Sequence, residues 1–323
     1  MNRRNIILFA TLTLLTLLLF AADMMAGAVR LSPAQVWGAL TGADGCDTLT
    51  RAIVVDIRLV KAVVALLAGA ALSVSGLQMQ TLFNNPLAGP YVLGISSGAS
   101  LGVALVVLAG VGTSAGVAGA AWAGAAAVLA VIAVVGRRIK DIMVILILGM
   151  MFSSGVGAIV QILQYLGDED SLKTFVVWTM GSLGDVTAPQ LRVMVPSVIA
   201  GLVLAMVTVK PLDLLLFGQQ YALTMGLNLR RTRTWLFLST TLLAGTVTAF
   251  CGPIGFIGLA MPHVTRMLTD TAAHRILVPA TMLTGAATML LCDIISKSFT
   301  LPVNAITALL GIPVVIWVVL RNK

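Results

Sequence analysis

The residue types able to do chemistry are few in this chain and widely scattered. His263 and His274 are its two histidines, and neither stands in an HExxH pattern that would place a metal-binding pair on one helix face. His263 directly follows Pro262, and a lone histidine in that setting reads as a hydrogen-bonded structural residue. Cys46, Cys251 and Cys292 lie far apart with no metal-ligand or redox spacing, so they read as small apolar side chains. No GxxxxGKS or GxxxxGKT run occurs anywhere, so the chain lacks a phosphate-binding loop and is not expected to hydrolyse ATP by itself. No nucleophile is paired with a base in the pattern that covalent catalysis needs. The expectation is a protein that is not an enzyme, with no resident metal and no cofactor.

Ion-coupled carriers usually place ionisable groups inside their spans. The acidic candidates near span interiors are Asp293, close to an outer end, and Asp56, just before the second span. A proton- or sodium-coupled secondary transporter therefore stands as the alternative reading, with Asp293 as its essential acid.

The elements that would position these residues are membrane helices. The chain of 323 residues is 59% hydrophobic and 10% charged, with a mean hydropathy of +1.04, which excludes an ordinary soluble domain. A bilayer-crossing helix needs roughly 20 apolar residues. Apolar runs of that kind predict ten spans, near 5–22, 59–83, 91–111, 115–136, 142–164, 193–209, 235–251, 253–269, 276–296 and 302–320. The fold class is all-α, a polytopic membrane helical bundle forming a single domain over residues 1–323. The run Ile6 to Ala22 follows Arg3 and Arg4 but shows no small-x-small cleavage pattern, so it is read as the first span and not as a signal peptide.

The formal net charge of +8 is explained by topology and not by nucleic acid. With the N-terminus in the cytoplasm, Arg3, Arg4, Arg137, Arg138, Lys140, Lys210, Arg230, Arg231, Arg233, Arg266, Arg275, Arg321 and Lys323 gather on the inner side, as the positive-inside rule requires. The acidic run Asp168, Glu169, Asp170 falls outside, and the even number of spans puts both termini in the cytoplasm. Gly94, Gly98 and Gly102 are spaced by four, as are Gly112 and Gly116, and Ala118 to Ala127 is almost all Ala and Gly; these predict close helix packing. Two stretches do not read as simple spans: Asn84 to Pro90, with its paired amides and two prolines, and Gly252 to Pro262. Broken backbone at membrane depth is tolerated where protein or a water-filled cavity satisfies it, so both are expected at the translocation path or in a packing core.

Several of these stretches carry a family resemblance. NNPLAGPYVLGISSGASLG, from Asn84 to Gly102, and GPIGFIGLAMPHVTRML, from Gly252 to Leu268, closely resemble signatures of the FecCD-type permeases. These are the membrane subunits of ABC importers for ferric siderophores, haem and vitamin B12. LPVNAITALLGIPVVIWVVL, from Leu301 to Leu320, is similar to that family's last helix; WTMGSL, from Trp178 to Leu183, is similar to its short external helix; and GQQYALTMGLNLRRTR, from Gly218 to Arg233, is similar to its cytoplasmic coupling segment.

The resemblance implies a homodimer in the bacterial inner membrane, with two ABC ATPase subunits below and a periplasmic or lipoprotein substrate-binding protein above. The cargo would be a metal chelate. It implies that Gly218, Ala222, Met225, Gly226 and Asn228 belong to the segment that meets the ATPase, with the flanking Arg230, Arg231 and Arg233 adding little. It further implies that Arg58, Lys61 and Lys297 dock the binding protein, and that Asn85, Leu87, Ile142 and Met143 form a pathway gate. The family's Arg-Leu-Pro-Arg stands here as Arg58-Leu59-Val60-Lys61, which replaces a forked guanidinium by a point charge and favours Arg58 over Lys61 as the docking contact. An apolar path between two copies implies no tight substrate pocket, and membrane lipid would be the remaining neighbour.

Overall fold

The computed structural model describes residues 3–42, 47–108, 114–136, 139 and 141–321. The expectations that concern Cys46, Gly112, Arg137, Arg138, Lys140 and Lys323 lie outside the described residues. Within them the chain is helical and has no strand. Apolar side chains supply no reason to leave the membrane, and helix is the one open-ended way to bond every backbone group internally there.

Helix α1 spans Arg3–Met25 and is followed by the short α2 (Pro33–Thr41) and α3 (Thr48–Ala52). A capping box on Ser32 and Gln35 starts α2, and Gly42 at φ 71° ends it. A π-helical segment, Ile53–Leu59, carries α3 directly into α4 (Val60–Leu82). Next come α5 (Ile95–Val107), α6 (Ser114–Gly136), α7 (Ile142–Leu166), α8 (Glu169–Thr179) and α9 (Ala188–Val207). The second half contains α10 (Val209–Leu215), α11 (Gln219–Thr224), α12 (Leu229–Thr240), a π-helical segment Thr241–Gly245 and α13 (Thr246–Cys251). It closes with α14 (Phe256–Thr269), α15 (His274–Phe299) and α16 (Val303–Arg321).

By length and composition, α1, α7, α9, α15 and the continuous run Leu229–Cys251 are long and apolar enough to cross a bilayer. Ile95–Val107, Gly116–Ile132 and Val303–Val318 are shorter apolar helices. Two boundaries differ from the sequence reading in ways that matter. The span expected from residue 235 begins as helix at Leu229, so Arg230, Arg231 and Arg233 ride on α12 and do not lie in a loop. The short helix in the stretch expected to be external is Glu169–Thr179, so WTMGSL supplies its last two residues and the turn at Gly181, φ 72°.

The bundle is organised about α4, which is buried along nearly its whole length. One core joins α4 with α9, α13, α14, α15 and α16 through residues such as Leu72, Met194, Val247, Ile257 and Met289. A second joins α5, α6 and α7 with α10 to α12 through Phe83, Ile95, Ala125, Ile145, Leu212 and Leu236. Small residues set these crossings. A methyl group on Gly76 would overlap the carbonyl oxygen of Gly258, bringing α4 and α14 into backbone contact; Gly98 of α5 and Gly124 of α6 meet in the same way.

Asn84–Pro90 is non-helical, as expected, whereas Gly252–Pro262 is non-helical only as far as Gly255, and Pro262 lies within α14. Asn84, at φ 46°, ends α4, and the chain then runs without helix until Gly94, at φ 78°, opens α5. Ala88, Leu93 and Ile95 are buried along it. In the second stretch, the freed N–H of Gly255 donates to Asn304 Oδ1 of α16 (3.2 Å), and that of Ile254 donates to the Tyr91 hydroxyl (3.4 Å). The three stretches Asn84–Gly102, Gly252–Leu268 and Leu301–Leu320 therefore meet in space, each supplying polar groups that the others leave open.

Candidate functional site

At one end of the bundle, α10, α11 and the first turn of α12 form a compact unit. Gly218, at φ 92°, ends α10 and starts α11, a conformation that a side chain would strain. Gly226, at φ 84°, reverses the chain after α11. Asn228 then caps α12, its Oδ1 accepting the N–H of Arg231 at 3.0 Å. Ala222 is fully buried and its carbonyl accepts the N–H of Leu227 at 2.9 Å, closing the turn. Around this frame Phe217, Tyr221, Leu223 and Met225 are exposed, Met225 by 58%. The segment thus presents an apolar, aromatic knob, with the rings of Phe217 and Tyr221 tilted by 50° and their centroids 5.4 Å apart.

Because Asn228 is a cap, its variants separate two roles. Asn228→Asp keeps an acceptor at the helix start and should leave the thermal midpoint of the purified protein unchanged. Asn228→Ala removes the acceptor and should cost about 1 kcal/mol, read as a lower midpoint in the same scan.

Arg233 holds the knob from behind. Its guanidinium is buried and donates to Gln219 Oε1 of α11 (2.7 Å) and to the carbonyl of Ile139 (3.2 Å), just before α7. Arg233, which sequence reasoning discounted, is therefore a tie between α11 and the residues before α7. A regular three-residue count of arginines on a loop hides this, whereas a helix beginning at Leu229 turns Arg233 inward.

Beside Arg233 lies a cavity of about 870 Å³, lined by Leu82, Phe83 and Asn84 from the end of α4, by Ile142 and Met143 from α7, and by Gly218, Gln219 and Leu223. Asp141 caps α7 by accepting the N–H of Met143 at 2.9 Å. Of the expected gate residues, the structure brings Ile142 and Met143 together with the coupling segment. Asn85 and Leu87 do not line this cavity; Asn85 Oδ1 accepts the N–H of Leu87 (2.9 Å), stiffening the loop, and leaves Leu87 exposed.

The opposite end carries the residues expected to dock a partner, and all three are engaged internally. Arg58 is buried, and its guanidinium donates to the carbonyls of Met24 (2.9 Å), Met25 (3.1 Å) and Val29, fastening the end of α1. Lys297 lies 2.8 Å from both Asp23 Oδ2 and Asp293 Oδ2, and Lys61 lies 3.1 Å from Asp293 Oδ1. Asp23, which sequence reasoning passed over, closes this cluster; its one signal is that it is the lone acidic residue of α1. Lys61 keeps 21% side-chain exposure against 9% for Lys297. The order of accessibility is therefore Lys61 before Arg58, the reverse of what the guanidinium comparison favours. At the same end, Asp168 caps α8 through the Ser171 N–H at 3.0 Å, which holds its carboxyl below the usual range.

Comparison with known proteins gives these features a common setting. Residues 14–321 match the FecCD transport family. The hemin transport system permease protein HmuU of Yersinia pestis is 34% identical, covering 98% of this chain and 95% of that one. The vitamin B12 import system permease protein BtuC of Salmonella paratyphi A is 35% identical, covering 99% and 97%. An inward-facing metal-chelate type ABC transporter superposes with a TM-score of 0.86 at 29% identity, covering 98% of this chain and 99% of that one. PsaBC from Streptococcus pneumoniae shares the fold, with a TM-score of 0.59 at 16% identity. The match along almost the whole length, in sequence and in structure, means that this chain belongs to the FecCD transport family.

Proposed function

We propose that this chain is the membrane permease of an ATP-driven importer that carries a metal chelate, haem or cobalamin into the bacterial cytoplasm. The observation that carries this reading is the α10–α12 unit: a rigid frame, set by Gly218, Gly226 and the Asn228 cap, that exposes an apolar knob. The knob suits a cleft on a separate ATPase subunit, and the chain contains no phosphate-binding loop of its own. Arg233 joins the knob to α7, whose Ile142 and Met143 are the gate residues beside it.

In this reading the α10–α12 end faces the cytoplasm, both termini are cytoplasmic, and two copies enclose the path. The exposed apolar face of α7, with Met143, Ile147, Met150, Met151 and Phe152, suits lining by a second copy and soft contact with a bulky cargo. The binding protein docks on the opposite end, where Lys61 is the lysine within reach, and the more buried Arg58 and Lys297 hold the surface in shape. Exposed charges of this kind steer association more than they add affinity. A secondary carrier driven through Asp293 fits poorly, because that carboxylate already lies between Lys61 and Lys297.

Uptake of labelled ferric siderophore, haem and cobalamin into vesicles holding this chain, its ATPase and its binding protein tests the proposal. Uptake of one cargo is expected, and it should need both ATP and the ATPase. Uptake by this chain alone that collapses with an uncoupler would establish a secondary carrier instead.

A further inference from the structure

Asp213 sits on α10, just before the coupling segment. Its Oδ1 accepts from both the backbone N–H and the ring Nδ1 of His274 at the start of α15, each at 2.8 Å. Since a carboxylate oxygen can only accept in such a bond, Nδ1 carries a proton. The other ring nitrogen of His274, which is fully buried, lies 2.9 Å from Thr81 Oγ1 in the last turn of α4.

The neighbouring Gln80 continues the line. Its Oε1 accepts from Arg266 Nη1 (2.6 Å) and its Nε2 donates to the carbonyl of Leu259 (3.0 Å), both on α14. On the same helix, His263 Nε2 lies 2.7 Å from the carbonyl of Pro86. A carbonyl only accepts, so this nitrogen also carries a proton and donates. Helix backbone joins the bonds at two steps, from Thr81 to Gln80 on α4 and along α14 to His263, so that together they connect α10, through α15, α4 and α14, with the non-helical loop between Asn84 and Pro90. The groups are buried or half-buried, where each needs its partner and none can shift freely without another shifting too.

We propose that Asp213, His274, Gln80 and His263 are positioning residues that hold the Pro86 loop in register with the coupling segment, so that displacement of α10 and α11 moves the loop. This rests on the importer reading, in which an ATPase displaces that segment. The track is separate from the Arg233 tie, which reaches α7. The α10–α12 unit thus has two polar connections, one to each side of the expected gate.

The test uses vesicles holding the complete importer, with ATP hydrolysis and chelate uptake measured on the same sample. His263→Leu breaks the far end of the track and Asp213→Ala the near end, while His263→Gln keeps a donor close to the Nε2 position. Both breaking variants should hydrolyse ATP at rates within about twofold of the parent yet lose uptake about tenfold, a size typical of coupling between sites. His263→Gln should restore uptake, and the double variant should be no worse than either single one, as expected for members of one network. Uptake that falls only in step with ATPase rate or with the amount of assembled complex would overturn the proposal, as would additive losses. As a second readout, ATP should change the rate at which Leu87→Cys reacts with a thiol reagent in the parent but not in the His263→Leu background; an equal response in both would also overturn it. Absence of ATP-dependent uptake in the unsubstituted complex would instead sink the importer reading itself.

Discussion

Lys297→Met is expected to destabilise the folded protein by about 3–5 kcal/mol, the usual cost of breaking a buried ion pair from one side. Lys297 lies between Asp23 and Asp293, whose side chains are almost completely buried. Removing its ammonium leaves Asp293 with Lys61 alone, and among the described residues it takes away the one ion pair of Asp23. The four groups belong to α1, α4 and α15, so the loss loosens three helices at once. The thermal midpoint in detergent should fall steeply, and adding Asp23→Asn should recover much of the loss by removing the stranded charge. A partner-docking role predicts another pattern: unchanged stability with weaker capture of the binding protein. A midpoint within a degree or two of the parent would show that the cluster does not hold the fold.

Gly76→Leu should be as damaging, for a steric reason. At the crossing of α4 and α14 the backbones touch, so that even a methyl group on Gly76 overlaps the Gly258 carbonyl. Neither helix can retreat: α4 is also in backbone contact with α15 through Gly69 and Gly285, and Pro90 presses on Gly258 from the loop side. Forced overpacking costs about 1–3 kcal/mol where a core yields, and backbone overlap that cannot yield should exceed the upper figure. No folded, monodisperse protein should be recovered. Gly155→Ala on α7 is the control, because nothing lies within 4 Å of an added methyl there; it should be neutral or slightly stabilising, since alanine is the better helix former by about 1 kcal/mol. Normal yields of Gly76→Leu would mean that the helices do not cross as closely as described.

Much of this architecture is legible in the sequence, and the reason is the solvent. A bilayer forces long apolar stretches to be helical, so the runs Ile6–Ala22, Ile142–Gln164 and Ile276–Ser296 announce α1, α7 and α15 with little help from their neighbours. The same constraint makes Asn84–Pro90 and Gly252–Pro262 conspicuous, because proline and paired amides at that depth need company from elsewhere in the protein. The stretches resembling the FecCD-type permeases carried the family. They also implied where a segment meeting the ATPase would lie, and in that segment Gly218 and Gly226 adopt positive φ.

Partnership between distant polar residues was not legible. A lysine near the end of α15 reads equally well as a docking charge and as the buried partner of Asp23, which lies at the other end of the sequence, and only the meeting of α1 with α15 decides for the second. Arg58 looked free because its acceptors are backbone carbonyls at the end of α1, and a carbonyl has no residue type to betray it. Arg233 took its position from helix phase, which a boundary displaced by six residues, Leu229 in place of 235, is enough to conceal. The sequence by itself determined that this protein is a helical membrane permease of a known family, since apolar length and local motifs act within one stretch of chain. Which charges are buried in pairs and which stay accessible was decided by tertiary structure alone, because burial and pairing depend on segments that meet only after folding.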